Sequence, residues 1–128
     1  ETVTSLFVPY QESPDYIGLG DFGLVPFKPV PSKRFGTTIK TGEYWAMGLP
    51  VVITKNISDD SDIIMENKIG AVIESLDEKG YINAILKIDS ILKNFSHKER
   101  YQKICSVAER YRNFSIAETV YKSIYSNL

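Results

Sequence analysis

Four of the five basic residues among the first 64 positions (Lys28, Lys33, Arg34 and Lys40) fall in one thirteen-residue stretch that contains no acid. The stretch reads Lys28-Pro-Val-Pro-Ser-Lys-Arg-Phe-Gly-Thr-Thr-Ile-Lys40, so two threonine hydroxyls, Thr37 and Thr38, sit in the same positive field. Cations, hydroxyls and a helix start together suit an anion, above all a phosphate, because the first N–H groups of a helix are unpaired and its dipole is positive there. The same composition also describes a solvated basic loop that binds nothing. Neither the P-loop nor the dinucleotide glycine pattern occurs in it. Glu43 follows, within the first turns of the helix that this loop opens. It either complements the helix dipole or accepts hydrogen bonds from a vicinal diol such as ribose, a task for which an acceptor-only carboxylate is well matched.

Positioning these residues requires strands and helices in alternation. Apolar runs at 5–8, 22–27, 51–54 and 70–74 read as strands, and their lack of polar alternation predicts burial on both faces of a parallel sheet. Between them lie helix signals. Ser13 with Pro14 is an N-cap followed by proline at the first helical position, opening a helix over 15–20. Residues 38–47 read as a helix closed by Gly48, with Pro50 beyond it. Asp59 or Asp60 is placed to cap a helix at 62–67, and Gly70 opens the next strand. From residue 75 onward the chain has one glycine and no proline, and apolar residues recur at helical spacing: Tyr81, Ile85, Ile88 and Leu92; Tyr101, Ile104, Ala108 and Tyr111; Ile116, Val120 and Ile124. Ser96 with Glu99, and Ser115 with Glu118, have the spacing of capping boxes. The expectation is an α/β fold, a parallel sheet flanked by helices, with two further closing helices.

Composition excludes several classes. The 128 residues are 43% apolar and 24% charged, a globular balance, and the longest apolar run (45–53) is too short to cross a membrane. A net charge of −1 argues against general nucleic-acid binding. Cys105 is the single cysteine, which excludes an internal disulfide and makes a reducing, cytoplasmic setting the default.

Three segments carry a resemblance: Phe22-Gly-Leu-Val-Pro-Phe-Lys, Pro31-Ser-Lys-Arg-Phe, and Ile39-Lys-Thr-Gly-Glu-Tyr-Trp-Ala-Met-Gly-Leu-Pro-Val-Val. Together they resemble the C-terminal domain of group 1 glycosyltransferases, enzymes of the two-Rossmann-domain GT-B type that use nucleotide-sugar donors and retain anomeric configuration. The likeness runs over 3–74 and is most specific between 22 and 53; Pro9-Tyr-Gln-Glu-Ser-Pro-Asp-Tyr-Ile fits the segment ahead of the site. The tail from Ala108 to Tyr125 is similar, less specifically, to the closing helices of such enzymes. The resemblance implies that Glu43 holds the donor ribose. It also implies that Thr37, Thr38, Ile39 and Lys40 meet the diphosphate and donor sugar, and that Lys33 and Arg34 are the basic residues of a Pro-Ser-Lys-Arg loop. One departure is Phe35, which stands where many members carry a second acid eight residues before the glutamate.

By the same resemblance, 1–128 is one partial donor-binding domain, with an α/β part at 1–74 and a helical part at 75–128. The family's glycine-rich opening strand, its diphosphate-gripping basic pair and its acceptor domain have no counterpart in these residues. A gap or an exposed sheet edge between the strands at 5–8 and 22–27 is therefore expected, to be covered by self-association or left imperfectly packed. The chain is expected to be inactive alone, to need no cofactor or metal beyond the nucleotide-diphosphate sugar donor, and to partner a preceding acceptor domain. A membrane surface enters as a partner only through the whole enzyme. Two other readings stand beside this one: a nucleotide-sugar epimerase of the same architecture, and a noncatalytic α/β interaction domain.

The remaining chemistry-bearing residues read more plainly. His97 is a surface residue at a helix start and Cys105 a half-buried thiol, while Trp45 faces either the core or the nucleotide base, with helical packing the preferred reading. Asp59, Asp60 and Asp62 read as helix caps rather than metal ligands. Asn56-Ile-Ser, Asn94-Phe-Ser and Asn113-Phe-Ser match the glycosylation sequon, which has no consequence in a cytosolic chain. Tyr101, Tyr111, Phe114, Tyr121 and Tyr125 are packing residues, expected to be exposed if their partner is the preceding domain.

Overall fold

A computed structural model of the chain describes residues 3–126. Strands β1 (Gly23–Val25), β2 (Val51–Thr54) and β3 (Gly70–Ile73) form a parallel sheet in the order β1-β2-β3. Gly23 pairs with Val51, and Val51 in turn with Gly70. Helices α2 (Ile39–Ala46) and α3 (Asp60–Asn67) make the two crossovers. Ahead of the sheet lies the short α1 (Ser13–Ile17), and after it α4 (Glu78–Asn94), α5 (His97–Arg112) and α6 (Phe114–Tyr125). The fold is thus the α/β layer arrangement expected, Rossmann-like, with closing helices.

The absence of polar alternation in the strands has a direct cause. Val25, Val51, Ile53 and Val72 point to one face, where Trp45 of α2, Ile63 and Ile64 of α3, and Ile104 and Val107 of α5 complete a core. Val52, Ala71 and Ile73 point to the other face, against Ala84 and Ile88 of α4. Successive strand residues therefore enter different cores, and both must be apolar. At Gly70 the backbone of β2 is so close that any Cβ would land on the Val51 carbonyl, which explains the glycine at the start of β3. Among the described residues no helix is long and apolar enough to cross a membrane.

Several elements differ from expectation. Residues 5–8 form no strand: Leu6 and Phe7 are exposed, and among the described residues no neighbouring strand accepts their backbone. An apolar run becomes a strand only where a partner satisfies its N–H and C=O groups. β1 is shorter than 22–27 because Pro26 has no N–H to continue the ladder. Ser13 does not cap α1; a 3₁₀ turn, Tyr10–Glu12, runs straight into the helix, so Ser13 is already helical and Glu12 takes the cap position. The Ser115–Glu118 box does not form either. Asn113 caps α6 instead, accepting from the Ser115 N–H at 2.9 Å, and Glu118 pairs with Lys122. The Ser96–Glu99 box is present, with both reciprocal bonds.

The helix faces shift by a residue or so. On α4 the buried line is Gly80, Ala84 and Ile88, while Tyr81 and Ile85 are exposed. On α6 no residue is buried, and Ile116, Val120 and Ile124 face outward. Tyr101, Phe114, Tyr121 and Tyr125 are exposed, and Tyr111 is partly buried against the first core.

Candidate functional site

Beyond the carboxyl end of β1, residues 26–38 turn across the top of the sheet and enter α2. Pro31–Phe35 wind into one 3₁₀ turn, with Pro31 in its first positions and Lys33 and Arg34 in its last. The chain then extends through Gly36, and Thr38 caps α2 in an extended conformation, its Oγ1 accepting from the Thr41 N–H at 3.2 Å. Thr38 and Thr41 also share a short hydroxyl–hydroxyl bond. The helix ends where Gly48 turns left-handed at φ 71°, as its place after the last apolar residue predicts.

Each basic side chain has a neighbour. The Lys33 ammonium lies 4.8 Å from the centre of the Phe27 ring, a cation–π contact. Arg34 donates to the Asn56 Oδ1 at 3.4 Å. Lys40 pairs with Glu43 across one helical turn at 3.0 Å, and this hydrogen bond holds the Lys40 ammonium above its usual pKa. Ile39 is exposed, its side chain standing out from the first turn of α2. Thr37 is exposed, and its Oγ1 lies 3.0 Å from the Ser58 Oγ.

Two of the expected site residues, Glu43 and Arg34, line separate clefts, and Lys33, Thr37, Thr38, Ile39 and Lys40 line neither. Glu43 lines one of about 440 Å³ with Tyr10, Gln11, Ser13, Ile17 and Met47. Arg34 lines another, of about 450 Å³, with Pro29, Pro31, Phe35 and Asn56. The basic turn and the start of α2 are consecutive in the chain, with the Arg34 cleft along the turn and the Glu43 cleft further along α2. Cleft residues Tyr10 and Gln11 were not singled out in the sequence, although they belong to the segment Pro9-Tyr-Gln-Glu-Ser-Pro that the resemblance sets ahead of the site. Asn56 and Ser58 carried no signal for this cleft, since the Asn56-Ile-Ser triplet reads only as a glycosylation sequon.

The aspartates after β2 behave differently from expectation. Asp59 occupies the cap position of α3 but makes no side-chain cap bond, and α3 begins at Asp60. Both carboxylates instead receive Arg112 Nη2 from the end of α5, Asp59 at 2.6 Å and the fully buried Asp60 at 2.5 Å. Burial alone would raise the Asp59 carboxyl, but hydrogen bonds from Arg112 and Ser58 outweigh it and the net shift is downward. Arg112 also lies 5.6 Å from the ring centre of Trp45, which is fully buried in the core as its helical spacing predicts. Among the described residues no group of three or more histidine, cysteine or acidic side chains is arranged to hold a metal ion. His97 is exposed and stacks near Tyr101. Cys105 is partly buried, and burial pushes its thiol up.

Comparison with protein families gives a match to glucosyltransferase 3-like, C-terminal domain, over residues 16–122, which covers the basic turn, α2 and the whole sheet. Neither curated proteins nor solved structures give a match.

Proposed function

The chain belongs to the family of glucosyltransferase 3-like C-terminal domains, and from that premise we propose that it binds the nucleotide-sugar donor of a retaining, GT-B-type glycosyltransferase. The observation that carries this reading is the basic 3₁₀ turn running into the capped start of α2, with Glu43 one turn further along and facing a cleft. Thr38 turns its hydroxyl inward to Thr41, so it and Thr37 meet a diphosphate through backbone N–H groups, together with those of Ile39 and Lys40. Lys33, Arg34 and Lys40 add their charge. As the bond from sugar to phosphate breaks, negative charge grows on the departing diphosphate, and this fixed positive field stabilises it.

Glu43 accepts the two ribose hydroxyls. Its exchange of Lys40 for the diol is inexpensive, since an exposed pair on one helix contributes only about 0.3–0.5 kcal/mol. Phe35, eight residues ahead of Glu43, leaves the donor sugar without the acid that many group 1 enzymes place there. The donor is a UDP- or GDP-hexose, and the product a cell-surface polysaccharide or glycoconjugate assembled from the cytoplasmic side. Acceptor and transfer groups are assigned to a preceding domain, so the chain alone binds donor without transferring sugar.

Calorimetric titration of the chain with UDP and with GDP, repeated on Glu43→Ala, tests this. One nucleotide binds the wild type at least tenfold more tightly than it binds the variant. Equal affinity for the two proteins sinks the ribose role, and no binding of either nucleotide by a folded chain supports an interaction domain instead.

A further inference from the structure

We propose that Ser58 and Asp59, braced by Arg112, are positioning residues that hold the basic turn and the start of α2 in the geometry that receives a nucleoside diphosphate. The ligand named here rests on the donor-site reading above; the bracing itself rests on hydrogen bonds.

The loop between β2 and α3 touches the basic turn at several points. The Ser58 N–H donates to the Lys33 carbonyl at 2.9 Å. Asn56 accepts from Arg34, and the Ser58 Oγ lies 3.0 Å from Thr37 Oγ1. To make these contacts the loop adopts left-handed backbone at two non-glycine residues, Asn56 at φ 63° and Ser58 at φ 49°. Such conformations persist where the surroundings hold them, and they gather at functional sites.

Chemistry gives this chain of bonds a direction. A carboxylate only accepts, so the Ser58 hydroxyl donates to Asp59 Oδ1, at 2.8 Å. With its proton committed, Ser58 Oγ is the acceptor for the Thr37 hydroxyl. Asp59 is in turn held by Arg112, whose other anchor is the buried Asp60. The relay therefore runs from Thr37 through Ser58 and Asp59 to the last residue of α5, and a helix distant in sequence sets where residues 33–38 lie. Asp59 is free for this because its carboxylate makes no cap bond to α3.

Two variants isolate the relay. Ser58→Gly removes the hydroxyl and relieves the left-handed strain, so the fold is retained. Asp59→Ala removes the central acceptor while Arg112 keeps Asp60. The full chain is measured by amide hydrogen exchange without ligand and by titration with UDP and UMP. The expected result has two parts: exchange at the Thr41 amide in both variants, and at the Ser58 amide in Asp59→Ala, rises about 3- to 10-fold while β2 and β3 keep their rates, and UDP affinity falls by a similar factor with UMP affinity unchanged. Unchanged exchange with unchanged UDP affinity overturns the proposal. So does an equal loss for UDP and UMP, which would mean a general structural effect. Local loosening in variants of a chain that binds neither nucleotide supports the bracing and overturns the donor-site reading.

Discussion

Replacing Arg112 by methionine leaves the Asp60 carboxylate fully buried with no charge to face. Among the described residues Arg112 supplies the hydrogen bond to Asp60 Oδ1, and Asp60 Oδ2 is already unpartnered. Asp59, whose side chain is 57% exposed, turns to water at little cost. Nearly all of the penalty therefore falls on Asp60. Breaking a buried pair by removing one partner costs about 3–5 kcal/mol, and methionine conserves some of the packing over Trp45, which favours the lower half of that range. For a chain of this size, each kcal/mol moves Tm by about 4 °C, so Arg112→Met lowers it by about 12–16 °C. Thermal unfolding followed by circular dichroism at pH 7 measures this. The double variant Asp60→Asn/Arg112→Met removes the stranded charge and recovers about half of the loss, because an unpaired neutral amide is less costly to bury than an unpaired carboxylate. A drop below about 4 °C in the single variant, or a double variant no more stable than the single, refutes the reasoning.

Two further outcomes concern the fold. Gly48→Ala forces a left-handed alanine whose Cβ meets the Tyr101 ring and backbone, and lowers stability by about 1–3 kcal/mol in urea unfolding. Stability also falls in acid, through Asp77, held down by the Gly80 N–H and then Ser75, and Glu99, held down by Ser96, as well as Asp59. All three folded carboxyls titrate below their unfolded counterparts, so the unfolded chain binds more protons. Their contribution is present above the unfolded values of about 3.9–4.3 and is lost as pH falls through the lower folded ones. Urea midpoints measured from pH 6 to pH 2.5 follow this decline, and Asp77→Asn flattens it; an identical slope in that variant contradicts the assignment.

What the sequence determined by itself is what depends on near neighbours. The Ser96–Glu99 box and the Gly48 stop are written in residues a few positions apart, where helix and turn energetics act, whereas Thr38, read as the first helical residue, proves to be the cap of α2. The basic turn before α2 and Glu43 within it were legible for the same reason, along with the parallel, doubly buried sheet. Tertiary structure decided where one local option competed with another or where partners were distant. Ser115 and Glu118 have box spacing, yet Asn113, two residues ahead, took the cap. Residues 5–8 have strand composition, but a strand is a property of a pair, and no neighbour is there among the described residues. Asp59 and Asp60 looked like caps because local rules see only the helix that follows them. Their partner, Arg112, lies more than fifty residues away in sequence, and its reach to them exists only once α5 has packed beside α2 and α3. A long-range ion pair has no local signature, so the brace behind the candidate site became readable only in three dimensions.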